Sequence, residues 1–258
     1  MLRFRSLGSG STGNATLVEA VSGGRVTRLL IDCGFTLRLL DARLARIGFA
    51  AGDIDALFVT HEHGDHIGCA HALSLRERIP VWMSEGTWLA GGGHDYQGRL
   101  RFARDGVTIE LGDIAIQPFT VPHDAREPLQ LVCTDGQRRL GVLTDLGHAT
   151  PYVLGRLAGL HALLLECNHD SDMLANSTYP PFLKARVGGN YGHLSNGAAG
   201  TIARAVHHAG LRHMVAAHLS QQNNRPELVR RMLAEALGAA EHDMLTADAA
   251  NGSPWLDA

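Results

Sequence analysis

The sequence predicts an α/β (α+β) protein, a four-layer αββα sandwich of two mixed β-sheets packed face to face and flanked by helices. Two observations lead to this fold class. A β-rich first half with helices is followed by a second half of similar make-up, and polar clusters lie where predicted strands end. We expect a single domain over residues 1–258, because no linker, low-complexity segment or repeat divides the chain.

Each element is predicted from its apolar spacing. Strands are expected where apolar and β-branched residues run between turn residues, and helices where apolar residues recur every three or four positions. In the helix expected at 36–47, Leu37, Leu40 and Leu44 share one face, Thr36 can cap the first turn and Gly48 ends the helix. The other helices are expected at 67–78, 196–209 and 226–237. The strands are expected at 2–7, 15–21, 28–32, 56–60, 107–111, 114–121, 130–134, 140–144, 162–166 and 213–218.

A glycine-rich segment after the first strand imitates a dinucleotide-binding motif. Residues 8–13 satisfy G-x-G-x-x-G, and Asp32 lies 19 residues after Gly13. A dinucleotide site needs a helix that opens at the third glycine and binds the pyrophosphate with its N-terminus. Residues 15–21 instead predict a strand, so no helix fits. We predict a hairpin loop, which either offers backbone N–H groups to an anionic substrate or is a plain flexible turn.

The composition is that of a globular protein without a strong overall charge. The formal net charge is −3, so contact with nucleic acid would need a local positive patch. The aromatic residues form no evident base-stacking ladder. The sequence has neither a signal-peptide core nor the ~18 apolar residues of a membrane span. With four scattered cysteines expected to be reduced, we predict a cytoplasmic protein without a membrane partner.

The strongest functional signal is the hexapeptide at residues 61–66, which follows the strand predicted at 56–60. If the chain continues in an extended conformation, His61 and His63 point to the same side, and Asp65 and His66 follow on a turn at Gly64. The motif therefore brings three imidazoles and a carboxylate into one small volume. Because these groups are ligands for Zn, Mn or Fe, the sequence predicts a metal site.

This motif resembles the signature of the metallo-β-lactamase-fold hydrolases, which have three further metal ligands in a set order. His123, Asp145 and His218 each follow a predicted strand and match those positions, so all seven ligand positions are filled. The resemblance spans essentially the whole chain and implies the αββα fold. It also implies two divalent metal ions, and the sequence does not distinguish Zn, Mn, Fe and Ni.

The resemblance further implies how the ligands are shared between the two ions. One ion would be held by His61, His63 and His123, the other by Asp65, His66 and His218, and Asp145 would bridge them. A hydroxide between the ions would be the nucleophile, and no serine or cysteine nucleophile would be needed.

Several polar segments outside the metal motif resemble the WalJ/YycJ group of this family. They are residues 8–14, 122–125, 144–148, 165–174, 191–196 and 219–227. The resemblance implies a phosphodiesterase-like hydrolase with 5′-to-3′ DNA exonuclease activity, acting on single-stranded or duplex-end DNA. We predict catalytic roles for Asp65, His169 and His193, and substrate-binding roles for Asn168, Ser195, Asn196 and Asn223.

For most of the predicted catalytic and substrate-binding residues outside the metal motif, a purely structural role is an alternative to the functional one. Ser195 and Asn196 would lie at a helix N-terminus, where N–H groups favour an anion but where both residues also serve as caps. His193 can donate to a phosphate oxygen or protonate the leaving group. His169 can instead orient metal ligands from a buried position, and Asn223 can cap the following helix.

Other functions use a similar metal core, and features of this sequence bear on each of them. A secreted zinc β-lactamase would need a signal peptide, and an RNase J-type nuclease would need an inserted domain between Asp145 and His218, where this chain has ordinary elements. An amidohydrolase barrel shares H-x-H but not the following Asp65-His66. The alternatives left open are a glyoxalase-II-like thioesterase, a cyclic-phosphodiester hydrolase, a tRNA-end nuclease and a non-catalytic regulatory module. The last is disfavoured because no ligand is lost, and the oligomeric state stays open.

Overall fold

The computed structural model describes residues 1–258 and has the predicted four-layer architecture. Its strands are β1 (Leu2–Gly8), β2 (Ala15–Ser22), β3 (Arg25–Ile31), β4 (Ala56–Phe58), β5 (Val81–Met83), β6 (Leu100–Phe102), β7 (Ile109–Leu111), β8 (Ile114–Thr120), β9 (Leu129–Thr134), β10 (Arg139–Leu143), β11 (Ala162–Glu166), β12 (His213–Ala217), β13 (Leu245–Thr246) and β14 (Leu256–Asp257). Its helices are α1 (Leu37–Arg46), α2 (Gly64–Ile67), α3 (Ala70–Glu77), α4 (Glu85–Ala90), α5 (Pro151–Arg156), α6 (Ser171–Ala175), α7 (Pro181–Val187), α8 (Asn196–Val206) and α9 (Pro226–Leu237).

The strands form two mixed sheets of seven strands each. The first sheet has the order β14-β1-β2-β3-β4-β5-β6 and the second the order β13-β12-β11-β10-β9-β8-β7. Strands β1 to β3 pair antiparallel and β3 to β6 parallel. Strands β7 to β10 pair antiparallel and β10 to β13 parallel. As a result β8, β10, β11 and β12 all run in one direction, and so do β1, β3 and β4.

The apolar residues between the two sheets form the central core. Phe4, Val18 and Phe58 of the first sheet are buried in one cluster with Leu131 and Leu164 of the second. Two further clusters lie between each sheet and its outer helices. Full burial of such a side chain contributes about 1.5–3 kcal/mol, so the contact between the sheets is a major source of stability.

Most predicted elements occur with small shifts at their ends. In α1 the side chain of Thr36 accepts the N–H of Leu39, as the predicted cap requires. The strand at 162–166 and the helix at 226–237 occur as predicted. The strands β5, β6, β13 and β14 and the helices α4 to α7 were not predicted, because each is too short to show a clear period.

The helix predicted at 67–78 is wrong as a continuous element. The structure divides it into α2 and α3 at Gly68, whose φ is +29°. The chain passes so close to the loop after β3 that a Cβ at Gly68 would lie 2.4 Å from the carbonyl oxygen of Cys33. A helix cannot continue through such a contact, and the break separates the ligand-bearing turn from α3.

The glycine-rich segment lies in the loop between the antiparallel strands β1 and β2, as the hairpin prediction states. No helix follows it, so the dinucleotide motif lacks its required context. The four cysteines are buried and unpaired. None of the helices combines the length and the apolar character needed to cross a bilayer.

Gly34 gives a test of the close approach between the loop after β3 and the turn at α2. A Cβ at Gly34 would lie 1.7 Å from the backbone oxygen of Asp65, so Gly34→Ala must push these segments apart. We expect a loss of about 1–3 kcal/mol in the free energy of unfolding, measured by denaturant titration. The matched control is Gly155→Ala in α5, where the Cβ meets no atom within 4 Å and alanine favours the helix. Equal stability of the two variants would contradict this account.

Candidate metal centre

The structure brings the seven predicted ligands together at one edge of the sandwich. This follows from strand direction, because the ends of strands that run the same way reach the same edge. His61 and His63 follow β4, Asp65 and His66 lie in α2, His123 follows β8, Asp145 follows β10 and His218 follows β12. Both sheets therefore contribute ligands.

Three imidazoles form the first ligand group. His63 Nδ1 lies 3.1 Å from His61 Nε2 and 3.3 Å from His123 Nε2. The other ring nitrogen of His123, Nδ1, lies 3.0 Å from the carbonyl oxygen of Gly192, which fixes the orientation of that ring. Three nitrogens thus point into one small volume, as the sequence predicted for these residues.

A second group lies beside the first, and Asp145 lies between the two. Asp65 Oδ2 lies 3.2 Å from His218 Nε2 and 3.7 Å from His66 Nε2. Asp145 Oδ2 lies 3.0 Å from His66 Nε2, while its Oδ1 lies 3.6 Å from His123 Nε2. Asp145 Oδ1 also lies 3.4 Å from His218 Nδ1, so this one carboxylate is within 4 Å of imidazoles from both ligand groups, as a bridging ligand would be.

The donor set fits divalent cations. Imidazole and carboxylate are ligands for Zn, Mn, Fe and Ni. Asp145 Oδ2 is buried and makes no hydrogen bond, although an imidazole nitrogen is near, so its lone pairs are directed at the shared space rather than at a donor. A cation in that space would satisfy the buried carboxylate and the converging nitrogens together.

Burial and neighbouring carboxylates set the charges of the ligands. Burial holds the pKa of His61 well below its usual range, so this imidazole is neutral and offers a lone pair. Burial would also lower the pKa of His218, but the carboxylates of Asp145, Asp65 and Glu166 together outweigh burial and raise the pKa to about 10. Protein carboxylates thus hold a proton on His218, and a metal ion would take the place of that proton.

An open cavity of about 400 Å³ lies over the two ligand groups. The ligands His63, Asp65, Asp145 and His218 line its floor, and His193 lies on its wall with 22% of its side chain exposed. The rest of the wall comes from Ser11 of the β1–β2 loop, from Asp124, and from Leu183, Arg186 and Val187 of α7. The site is therefore open to a substrate from solvent.

Comparison with known proteins decides the family. The family model described as "Beta-lactamase superfamily domain" matches residues 27–219, which is most of the chain. The chain belongs to this superfamily. It is 33% identical over 240 residues to a Bacillus anthracis protein named exodeoxyribonuclease YycJ, covering 92% of this chain and 89% of the relative. It is 30% identical over 246 residues to exodeoxyribonuclease WalJ of Streptococcus pneumoniae, covering 93% and 89%.

The solved structures agree on the fold of this superfamily member. The metallo-β-lactamase-fold protein YhfI from Bacillus subtilis superposes with a TM-score of 0.75 at 17% identity, over the whole of both chains. The predicted family and fold class are confirmed, and membership implies that the chain binds divalent metal.

A buried carboxylate that the sequence analysis did not assign to the site supports the second ligand group. Asp32, at the end of β3, lies 2.8 Å from His66 Nδ1 and accepts the N–H of Thr60 at 2.8 Å. A proton held at Nδ1 leaves His66 Nε2 free as the metal-facing atom. In the sequence, Asp32 attracted attention only as the acid of the false dinucleotide motif. The available signal was an acid at the end of the strand next to β4.

A second buried carboxylate, Glu166 at the end of β11, was also missed. Its Oε1 lies 2.6 Å from His193 Nδ1 and 3.5 Å from His218 Nδ1, and its Oε2 accepts the N–H groups of Leu146 and Leu194. Burial would raise the pKa of Glu166, but the imidazoles of His193 and His218 together outweigh burial and lower the pKa, so the group is a carboxylate. Burial would lower the pKa of His193, and the Glu166 charge raises it instead.

Two of the predicted substrate-binding residues lie at the start of α8 and do not line the cavity. The hydroxyl of Ser195 caps the helix by accepting the N–H of Ala198 at 3.2 Å. The side chain of Asn196 is buried, and its amide exchanges two hydrogen bonds with the amide of Asn224, at 3.0 and 2.9 Å. This pair joins the starts of α8 and α9.

The other predicted residues are buried behind the ligands. Asn168 Nδ2 donates to the carbonyl oxygen of His218 at 3.1 Å, which holds the backbone of that ligand. His169 and Asn223 are buried and do not line the cavity. Of the predicted non-ligand residues, the structure therefore brings only His193 to the cavity wall.

Replacement of Asp145 tests the bridging position. Because Asp145 faces both ligand groups, Asp145→Ala should lower the occupancy of both metal positions, measured by inductively coupled plasma mass spectrometry after loading and desalting. The control is Asp172→Ala on the surface helix α6, which should retain the full metal content. Full metal content in Asp145→Ala would show that this residue is not the bridge.

Replacement of Glu166 tests the support behind His218. Glu166→Gln keeps the shape but removes the charge that holds His193 and His218. We expect a 10–100-fold weaker affinity for the ion bound by the second ligand group, and a smaller effect on the first, in competition titrations with a chromogenic chelator. Glu227→Gln on the exposed start of α9 is the control. Equal weakening at both positions would contradict a local role for Glu166.

Proposed function

We propose that this chain is a dinuclear-metal-dependent phosphodiesterase that acts on DNA ends as a 5′-to-3′ exonuclease. The observation that carries the proposal is the open cavity over the two ligand groups, which is lined by four of the seven ligands (His63, Asp65, Asp145 and His218) and by His193. Support also comes from relatives named exodeoxyribonucleases, which align with about nine tenths of the chain. A phosphodiester is an anion that needs cations and hydrogen-bond donors around it, and this cavity offers both.

The chain's own residues would divide the work as follows. His61, His63 and His123 would hold one ion, Asp65, His66 and His218 the other, and Asp145 would hold both. Bound divalent ions lower the pKa of water and stabilise charge on phosphate oxygens. Two ions would be bound, and the availability of Zn, Mn, Fe and Ni would decide which metal occupies the site.

His193 would donate a hydrogen bond or a proton from the cavity wall. Glu166 holds His193 Nδ1 at 2.6 Å, so Nε2 is the ring nitrogen left for substrate. A positioned imidazole that protonates a leaving group contributes roughly 10²–10⁴-fold to the rate. His193 would therefore act on the oxygen that leaves phosphorus.

Arg186 would supply the local positive charge that the net composition lacks. It lies on α7 at the cavity and pairs through Nε with Asp124 Oδ2 at 2.5 Å. Nε is only one of its donors, so further guanidinium N–H groups are available to a phosphate oxygen. Asp124 would fix the guanidinium beside the metal centre.

Cleavage of a 5′-phosphorylated single-stranded DNA oligonucleotide by Mn-loaded protein tests the proposal. We expect stepwise loss of nucleotides from the 5′ end, followed on denaturing gels. His193→Ala should keep its metal but cleave about 10²–10⁴-fold more slowly, because only the proton donor is lost. Asp145→Ala should be inactive for want of metal.

The proposal fails if metal-loaded protein releases no nucleotide from single-stranded or duplex-end DNA. Hydrolysis of a cyclic nucleotide or a thioester under the same conditions would then assign the metal centre to a small substrate. Hydrolysis of none of these, with tight binding of a partner, would assign a regulatory module.

A further inference from the structure

Two aromatic rings at the metal cavity are exposed to an unusual degree. Phe182 and Tyr191 are the most exposed large hydrophobic side chains of the structure, at 73% and 63%. Leaving such a ring in water forgoes about 1.5–3 kcal/mol of burial. Exposed apolar groups beside a polar site commonly mark an interaction surface.

Both rings belong to segments that line the cavity. Phe182 directly precedes Leu183, and it lies one helical turn before Arg186, so Phe182 and Arg186 share a face of α7. Tyr191 directly precedes Gly192 and His193, which also line the cavity. Both exposed rings are therefore next in sequence to residues that line the cavity.

The two segments form one unit whose position is fixed. The N–H of His193 donates to the carbonyl oxygen of Val187 at 2.8 Å, which folds the loop back on α7. A Cβ at Gly192 would lie 2.1 Å from the carbonyl oxygen of Arg186, so the two backbones are in direct contact. Two consecutive prolines, Pro180 and Pro181, lie at the start of α7 and restrict the backbone where the chain enters the helix. No residue of α7 is buried, so the protein itself does not cover this surface.

The chemistry of the surface fits unpaired nucleotides. An aromatic ring stacks on any base, and an arginine beside it contacts the phosphate that follows. Paired bases in a duplex are already stacked and do not offer their faces. An aromatic surface next to a phosphodiester-cleaving centre would thus favour a strand that is single over the nucleotides nearest the cut.

We propose that Phe182 and Tyr191 form an aromatic lip that stacks on the unpaired bases next to the scissile phosphate and selects single-stranded DNA ends. The lip rests on the proposed exonuclease function, because it takes the cavity as the cleavage site. Its role is in substrate selection, and the reaction itself belongs to the metal centre and His193.

Binding measurements test the lip without relying on cleavage. The probe is a 5′-phosphorylated ten-nucleotide oligothymidylate with phosphorothioate linkages and a 3′ fluorophore, followed by fluorescence anisotropy with metal-loaded protein. The Phe182→Ala/Tyr191→Ala double variant should bind roughly tenfold or more weakly than wild type. Phe102→Ala removes an exposed ring from the edge strand β6 and is the matched control, with unchanged binding. Phe182→Tyr/Tyr191→Phe keeps both rings and should bind like wild type.

Abasic oligonucleotides locate the contact. Abasic residues at the second and third positions remove the proposed stacking partners, so they should weaken wild-type binding by a similar factor and leave the double alanine variant unaffected.

If the double variant binds the normal oligonucleotide as tightly as Phe102→Ala, the lip is overturned, whether or not DNA is cleaved. If wild type binds the oligonucleotide through these rings but cleaves no DNA, the exonuclease proposal fails, and the rings form a surface that binds single-stranded DNA without a cleavage site. If wild type binds no oligonucleotide at all, the lip is overturned as a DNA surface.

Discussion

The apolar contact between the two β-sheets is the constraint on which the metal centre depends. His61, His63, Asp65 and His66 are carried by the first sheet, and His123, Asp145 and His218 by the second. Neither sheet alone has a complete ligand group, because His123 completes the first group and His218 the second. The buried residues between the sheets therefore set the distances between ligands of different sheets. A shift of one sheet against the other would separate His63 Nδ1 from His123 Nε2, now 3.3 Å apart, and Asp65 Oδ2 from His218 Nε2, now 3.2 Å apart.

Two buried carboxylates hold the imidazole rings of this site in place. Asp32 holds His66 from the first sheet and Glu166 holds His193 and His218 from the second, so each sheet supplies one anion behind the ligands. Strained backbone occurs at the same places, since Asp32 and His218 adopt positive φ values of 59° and 53°. Such conformations cost roughly 1–3 kcal/mol each and persist only where the surroundings enforce them. Here the enforcing contacts are the hydrogen bonds of the metal centre.

The sequence predicted the parts of the site that depend on local spacing. The motif at 61–66 predicted four of the ligands from spacing alone, and the family resemblance added His123, Asp145 and His218, all of which the structure brings together. Asp32 and Glu166 each lie at the end of a strand, but the sequence did not assign them a role, because their partners His66, His193 and His218 are distant from them in the sequence. The exposure of Phe182 and Tyr191 is likewise set by tertiary packing and has no signal in the local spacing. The asparagines at 168, 196 and 223 were predicted to contact substrate, and the tertiary packing buries them away from the cavity lining.

The contact between Ser9 and His218 bears on the order in which the parts of this fold form. The N–H of His218 donates to Ser9 Oγ across 209 residues of sequence, which is among the most distant pairings in the fold. Closing so long a loop is entropically costly, so it follows the formation of local hairpins and parallel units. The histidine-rich turn is synthesised early, yet its second group of ligands exists only after the last parallel strands have joined. We therefore expect full metal capture only after β12 has joined the second sheet, and we expect partly folded molecules to have an incomplete and weaker set of donors.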